Sequence, residues 1–348
     1  MNTARFKSIT ERYTGLRVAV IGDFCLDRYL EIDPAKTETS IETGLAVHNV
    51  LRARPQPGGA GTIVNNLCAL GAGEINVVGI AGEDGEGWEL QRALQNLPGV
   101  RMEYFISTPL RQTFTYAKPI ECSPGKPPVE LNRLDFKNWT PTPPSLENQL
   151  CESIRALINE KQVDAIILLE QVDVAQTGVL KKGVLAQIHE LTKAQIQRIV
   201  VADSRRGLKN FPPFIFKMNA AELARLLNVE NRFNLDEIRA RASELAKRQG
   251  HAVFVTLAEN GMVGADASGQ TAHVPALAVR GPIDIVGAGD AVTANLTLAL
   301  ASGASLTETL EIASAAASVV IHQLGTTGAA TVPEISHLLS LDAAPYAS

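Results

Sequence analysis

Along this chain, short runs in which nearly every position is apolar alternate with longer stretches whose apolar positions recur every three or four residues. The short runs, at 17–22, 75–80, 163–169, 199–202 and 252–257, predict strands buried on both faces. The longer stretches, at 59–70, 85–97, 145–161, 177–193, 235–249, 292–302 and 306–323, predict amphipathic or buried helices. Regular alternation of the two predicts an α/β architecture, a mainly parallel sheet covered by helices on both faces. In such sheets ligands bind beyond the carboxyl ends of the strands. Two stretches, 29–54 and 103–135, break the pattern. They are extended, with no helical period and with Pro and Gly in the middle of the second, and they predict a small separate sheet. No internal repeat is visible, and 342–348 reads as a frayed tail.

The chain has 348 residues, 45% of them hydrophobic and 20% charged, enough to bury a large core as one big domain or two smaller ones. A formal net charge of −5 argues against a nucleic-acid partner, so an anionic substrate would need a local cluster of cations. Residues 1–17 are polar and lack the apolar core of a signal peptide, and no apolar run approaches the roughly 20 residues of a membrane span. A soluble cytoplasmic protein with no membrane partner is expected. The four cysteines are widely spaced and the six histidines scattered, which supports neither a zinc site nor a disulfide framework.

Candidate chemistry concentrates at Asp284-Ile-Val-Gly-Ala-Gly-Asp290-Ala, directly before the predicted helix 292–302. Gly287, Ala288 and Gly289 leave their backbone N–H groups uncovered at the positive end of that helix, where an anion is stabilised. Asp290, at the edge of that site, can take a proton from an attacking hydroxyl while the amides hold charge building on a transferred phosphoryl group. A glycine-rich connection with Asp as a helix cap gives the same letters without chemistry. Further along, Asn219 and Glu222 stand three apart on a first helical turn, suited to the waters of one Mg²⁺ or, equally, to a capping box. Near the N-terminus a strand ends in Asp23 and Asp27, and Gly58 and Gly59 open the next helix, where backbone can approach a ligand. Arg205 or Arg206, and Arg111, Lys118 and Arg133 on the extended stretches, are candidate anion ligands.

The octet, with Gly22-Asp-Phe-Cys-Leu-Asp-Arg-Tyr, Pro57-Gly-Gly-Ala-Gly, Leu131-Asn-Arg-Leu-Asp-Phe, Asn219-x-x-Glu222 and Thr256-Leu-Ala-Glu-Asn-Gly-Met in the same order, resembles the pfkB/ribokinase carbohydrate kinases over most of residues 17–330. The resemblance implies a ribokinase-like three-layer sandwich, a single kinase domain over 1–348 with a β lid inserted at about 29–54 and 103–135. It implies ATP-dependent phosphorylation of a sugar or sugar-phosphate hydroxyl, with Asp290 as catalytic base and Gly287, Ala288 and Gly289 as the anion hole. It places Asp23, Asp27, Gly58, Gly59, Thr62 and Asn66 at the substrate, and Asn219, Thr256, Gly261 and Gly325 at the nucleotide. Asn219 and Glu222 would serve Mg²⁺ through water, and Asp284 a monovalent cation, K⁺, by analogy alone. A homodimer through the lid follows from the same resemblance.

Within the family the chain is similar to the branch acting on heptose 7-phosphate, without room for a fused nucleotidyltransferase after the kinase. Two features depart from that pattern. Thr62 stands where an Asn is usual, and Leu169-Glu-Gln-Val-Asp replaces a Ser-Asp-Tyr. The acceptor therefore stays open, with a nucleoside or other small-molecule kinase, or a non-catalytic sugar or nucleotide sensor, as alternatives.

Overall fold

A computed structural model describes residues 1–193 and 199–342. A nine-stranded sheet forms its centre, in the order Thr271–Val274, Met262–Ala265, Val253–Thr256, Ile215–Asn219, Ile199–Ser204, Ala165–Glu170, Arg17–Gly22, Glu74–Val78, Val100–Arg101. From Val253–Thr256 onward all pairings are parallel, and the first two strands form an antiparallel hairpin at the edge. Strand periodicity explains the layers, because neighbouring side chains point to opposite faces. Val18, Val20, Ile167 and Leu169 join one core with the helices Ala60–Ala69, Ala288–Ala301 and Leu306–Val320. Ala19, Ile21, Ile166 and Leu168 join another with Pro144–Glu160, Lys182–Thr192 and Leu235–Gln249. Both faces are dry, which is why the central strands read as unbroken apolar runs.

A second, five-stranded sheet stands beside this sandwich. Phe24–Ile32 pairs in parallel with Thr115–Glu121 and antiparallel with Val50–Gly59, while Val129–Glu130 and Leu134–Phe136 both pair with Thr115–Glu121. Phe24–Ile32 begins two residues after the core strand Arg17–Gly22 ends, so the two sheets meet at a corner occupied by Asp23. Residues 103–114 do not belong wholly to this sheet. Ile106–Thr108 pairs with Ile80–Gly82 in a two-stranded ladder of its own.

Three further differences from the sequence reading have local causes. The helix expected at 177–193 spans Lys182–Thr192, because the preceding loop is held by Asp23, which accepts the Val179 N–H at 2.7 Å. The hairpin strands Met262–Ala265 and Thr271–Val274 are four residues each, too short to establish a period. Helices Thr3–Thr10 and Val332–Asp342 are short, and each sets only a few apolar side chains, Phe6 and Ile9 or Ile335 and Leu338, into the core. The frayed end expected at 342–348 lies, past Asp342, outside the described residues. Among the described residues no helix is long and apolar enough to cross a membrane.

Candidate active site

The strands Arg17–Gly22, Ala165–Glu170, Ile199–Ser204, Ile215–Asn219 and Val253–Thr256 run in one direction, so Asp23, Gln171, Asp203, Asn219 and Thr256 gather at one edge. The helix Ala288–Ala301 starts there. Its N-cap, Gly287, is left-handed at φ 83° and provides no side-chain cap. The Ala288 N–H donates to Ile285 O at 3.2 Å, and the Ala291 N–H closes the first intrahelical bond to Gly287 O. The N–H groups of Gly289 and Asp290 therefore have no intrahelical acceptor and are the donors best placed for an anion. Of the three residues expected to form the hole, Ala288 has its amide already engaged. Gly289 answers to a close approach, since a Cβ there would lie 3.1 Å from Lys217 Nζ. Thr327 packs on the same turn, and its buried hydroxyl has no partner among the described residues.

Lys217 is fixed in that position. It is buried, forms an ion pair with Asp203 at 2.8 Å, and shares Asp203 Oδ2 with the Thr293 hydroxyl, which donates at 3.0 Å from one turn into the helix. Burial works against the ammonium, but Asp203, with Asp290 and Glu222, outweighs it and Lys217 stays above its ordinary pKa. Asp290 lies half-buried beside this pair, and no hydrogen bond to its carboxylate contributes to its titration. Loss of solvent first, then the negative charges of Asp203 and Asp27, push its pKa up to about 7, against the opposing pull of Lys217. A carboxylate poised there exchanges protons near neutrality, as a general base must.

The acceptor side is built on the small sheet. Asp27 is buried and paired with the equally buried Lys118 at 2.8 Å, which neutralises and orients it. Gly58 packs directly on that carboxylate, where a Cβ would fall 2.4 Å from Asp27 Oδ2. Gly59 adopts φ 57°, ψ −123°, which carries the chain from strand into the helix Ala60–Ala69. Thr62 lies on the first turn of that helix, 1% exposed.

Two residues expected at the substrate are engaged elsewhere. Asp23 accepts the N–H groups of Gln171 at 2.8 Å, Val172 at 3.1 Å and Val179 at 2.7 Å, so both its oxygens are engaged in folding the 171–179 loop. Asn66 is fully buried, and its amide donates to Thr62 O at 3.0 Å and Gly328 O at 3.2 Å. It ties the helix to the loop behind the anion hole and is not open to a sugar.

On the nucleotide side, Asn219 and Glu222 form a reciprocal capping box. The Asn219 N–H donates to Glu222 Oε2 at 2.8 Å and the Glu222 N–H to Asn219 Oδ1 at 2.9 Å. Glu222 Oε1 lies outside this pair, 3.8 Å from Arg225. Burial raises the Glu222 pKa. Among the described residues no group of three His, Cys, Asp or Glu side chains could hold a metal, so Mg²⁺ fits here only through water and phosphate oxygens. Thr256 ends its strand with its hydroxyl 3.5 Å from Met218 O. Gly261 is required by the hairpin packing, since a Cβ would lie 2.0 Å from Val274 O. Asp284 and Gly325 do come together. Asp284 accepts from Val286 N–H at 3.0 Å and Gly325 N–H at 3.4 Å, joining the two loops that flank the turn.

The candidate cations separate clearly. Arg111 is buried and donates to Thr140, Thr142 and Thr177 as a structural anchor. Arg206 is paired with Glu170 at 2.9 Å. Arg205 and Arg133 stay partly exposed. Sequence reasoning gave no role to Lys217, Asp203 or Thr293. The available signal was Asp203 at a strand end and Lys217 two residues before Asn219, both on neighbouring parallel strands.

A three-layer sandwich with an uncapped helix start, a raised-pKa carboxylate and a small sheet over the strand ends defines a ribokinase-like protein. A model of the pfkB family carbohydrate kinases matches residues 17–333. The bifunctional protein HldE of Azorhizobium caulinodans is 32% identical over 311 residues, covering 89% of this chain and 61% of that protein. HldE of Trichlorobacter lovleyi is 29% identical over 351 residues, covering 98% and 66%. The chain thus spans about two thirds or less of the length of these relatives. Phosphofructokinase-2 from Escherichia coli, in complex with potassium, superposes with a TM-score of 0.70 at 20% identity, covering 94% of this chain and 99% of that one. Ribokinase from Arabidopsis thaliana, complexed with ribose and ATP, gives 0.63 at 19%, covering 95% and 99%. The chain belongs to the pfkB family of carbohydrate kinases, phosphotransferases with an alcohol group as acceptor.

Proposed function

We propose that this chain transfers the γ-phosphoryl group of ATP to a hydroxyl of a sugar or sugar phosphate, with heptose 7-phosphate as the first acceptor to try. The observation that carries this reading is Asp290, with a pKa near 7, at the first turn of an uncapped helix against which Lys217 is pinned. ATP with Mg²⁺ supplies the phosphoryl group and its charge neutralisation, the metal being held through water by Asn219 and Glu222. Asp27 holds acceptor hydroxyls, since a carboxylate accepts two such bonds in fixed geometry. Asp290 withdraws the proton from the attacking hydroxyl. The N–H groups of Gly289 and Asp290, with the Lys217 ammonium, stabilise the negative charge that develops opposite it. Lys217 also keeps Asp290 ionisable, because without it the charges of Asp203 and Asp27 would hold the proton more tightly. A monovalent cation at Asp284 would replace the longer of its two amide contacts, that to Gly325.

The small sheet serves as a lid and as the face of a homodimer in the cytoplasm. Its outer side supports the second role, with Leu134, Phe136 and Val129 exposed by 62%, 39% and 57%. A coupled ADP-release assay with Mg·ATP against neutral sugars, sugar phosphates and nucleosides tests the activity. Turnover on a sugar class, lost in Asp290→Asn, is the expected result. ATP binding without turnover on any acceptor would sink it.

A further inference from the structure

Between the strand Thr271–Val274 and the helix Ala288–Ala301 the chain runs through 275–287 with neither helix nor strand. The core does little to hold it there. Leu277 packs partly against the hydrophobic core, whereas Val279, Ile283, Ile285 and Val286 are exposed. Yet this segment delivers Gly287 and the uncommitted N–H groups of Gly289 and Asp290, so its path decides where the anion hole stands. Hydrogen bonds have to supply the fixing that burial does not.

Among the described residues, three hydrogen bonds tie the segment to anything beyond the helix it leads into, and all three end just past Leu306–Val320. The Asp284 N–H donates to Ile321 O at 2.8 Å, the Gly325 N–H to Asp284 Oδ2 at 3.4 Å, and the Arg280 N–H to His322 Nε2 at 2.9 Å. Two of these close on Asp284, so upstream of it the segment depends on His322. The receiving end is firm. The Gln323 amide donates to Ala329 O at 3.0 Å and accepts the Ala329 N–H at 2.9 Å, and Asn66 holds Gly328 O. The chemistry of the His322 contact leaves one arrangement. A backbone N–H can only donate, so Nε2 carries a lone pair, and in a neutral imidazole the proton then sits on Nδ1. Nδ1 faces Ser318 O at 2.6 Å, an atom that can only accept. Both partners select the same tautomer, and the ring presents a fixed acceptor to the segment.

We infer that His322 is a positioning residue for phosphoryl transfer, an assignment that rests on the kinase reading. Its Nδ1-protonated imidazole straps Arg280 to the end of Leu306–Val320 and thereby fixes the approach to the Gly287 turn. The acceptor side is independent of this strap, since Asp27, Lys118 and Gly58 belong to the small sheet. Loss of the strap displaces the anion hole, which lowers kcat and leaves the acceptor KM unchanged. A role in folding alone would lower stability and leave kcat per folded molecule as it was.

Two substitutions separate the acceptor atom from the shape of the side chain. His322→Leu removes the lone pair, whereas His322→Gln puts an acceptor oxygen in its place. Kinetics with Mg·ATP and heptose 7-phosphate, and calorimetric titration of the non-hydrolysable Mg·AMP-PNP, are run on the full chain and both variants. His322→Leu should lower kcat and AMP-PNP affinity by about tenfold each with the acceptor KM unchanged, and His322→Gln should recover most of both. Long-range ¹H–¹⁵N NMR reads the tautomer directly. Among the six histidines, the signal that disappears in His322→Gln should show a protonated Nδ1 and a lone pair on Nε2. An Nε2-protonated His322, equal losses in the two variants, or unchanged kcat and affinity in His322→Leu would overturn the assignment. A full chain that turns over no acceptor would count against the kinase reading, while the NMR and AMP-PNP results still decide the role of His322.

Discussion

The corner at Asp23 and the turn at Asp290 each set a carboxylate at the edge of the sheet, away from bulk water, and use it in opposite ways. At Asp23 three backbone N–H groups converge on the two oxygens. Burial raises its pKa, the amides oppose that without cancelling it, and the carboxylate is fixed as a structural anchor. At Asp290 no hydrogen bond offsets burial, and the neighbouring acids outweigh Lys217, so the group titrates near 7. Burial raises both groups, and what separates them is that the Asp23 oxygens are committed to backbone N–H groups whereas those of Asp290 are not.

The largest effect that would sharpen this contrast is on turnover. Asp290→Asn keeps the shape and removes the base, and kcat should fall by about 10³-fold or more. Asp23→Asn, assayed per folded molecule, should retain most activity. An equal loss of kcat in both variants would erase the distinction. Next in size, Lys217→Met should cost roughly 10²-fold in kcat through lost charge stabilisation. It should also move the acid limb of the pH profile upward, because the one neighbour that lowers the Asp290 pKa is gone. In the unaltered chain kcat/KM should be level above about pH 7 and fall tenfold per unit below it as Asp290 protonates. A profile flat down to pH 5 would show that another group takes the proton.

How far the sequence could disclose this site depended on whether its parts are contiguous. The turn at 287–290 is four neighbouring residues at the start of an apolar helix, so its letters carry its geometry. Strands buried on both faces are just as plain, since their apolar runs reflect two dry layers. Asn219 and Glu222 could be seen as a pair, yet one spacing serves both a capping box and a metal, and the structure shows the box. Asp203, Lys217 and Thr293 were not legible together, because their meeting depends on strand order and on which turn of Ala288–Ala301 faces the sheet. Asn66 was misplaced for a similar reason. Helical spacing gives its height on Ala60–Ala69 but not the loop at Gly328 that receives its amide. The bounds of the lid blurred because Ile106–Thr108 is extended yet pairs with a different strand.

Smaller effects concern stability, and they cut the same comparison from the other side. Asp23→Ala leaves three N–H groups without their acceptor, and should cost about 2–4 kcal/mol in urea denaturation. A loss below about 0.5 kcal/mol would mean the 171–179 loop does not depend on that carboxylate.

Asp290→Asn should do the reverse and stabilise the fold modestly. The group's pKa is about 7 in the folded chain against an ordinary 3.8, so between those values the native state binds a proton that the unfolded chain has released. Stability from this group therefore falls as pH rises from about 4 to 7, and above 7 the native state carries a charge that its surroundings disfavour. An Asn carries no charge at any pH. The gain over the unaltered chain should be small at pH 4.5 and reach about 1–2 kcal/mol at pH 8, a figure reduced for the partial exposure of the side chain. Denaturation midpoints at the two pH values measure it. A gain that does not grow with pH would mean that Asp290 sits in an ordinary environment. The explanation offered for its role as base would then fail.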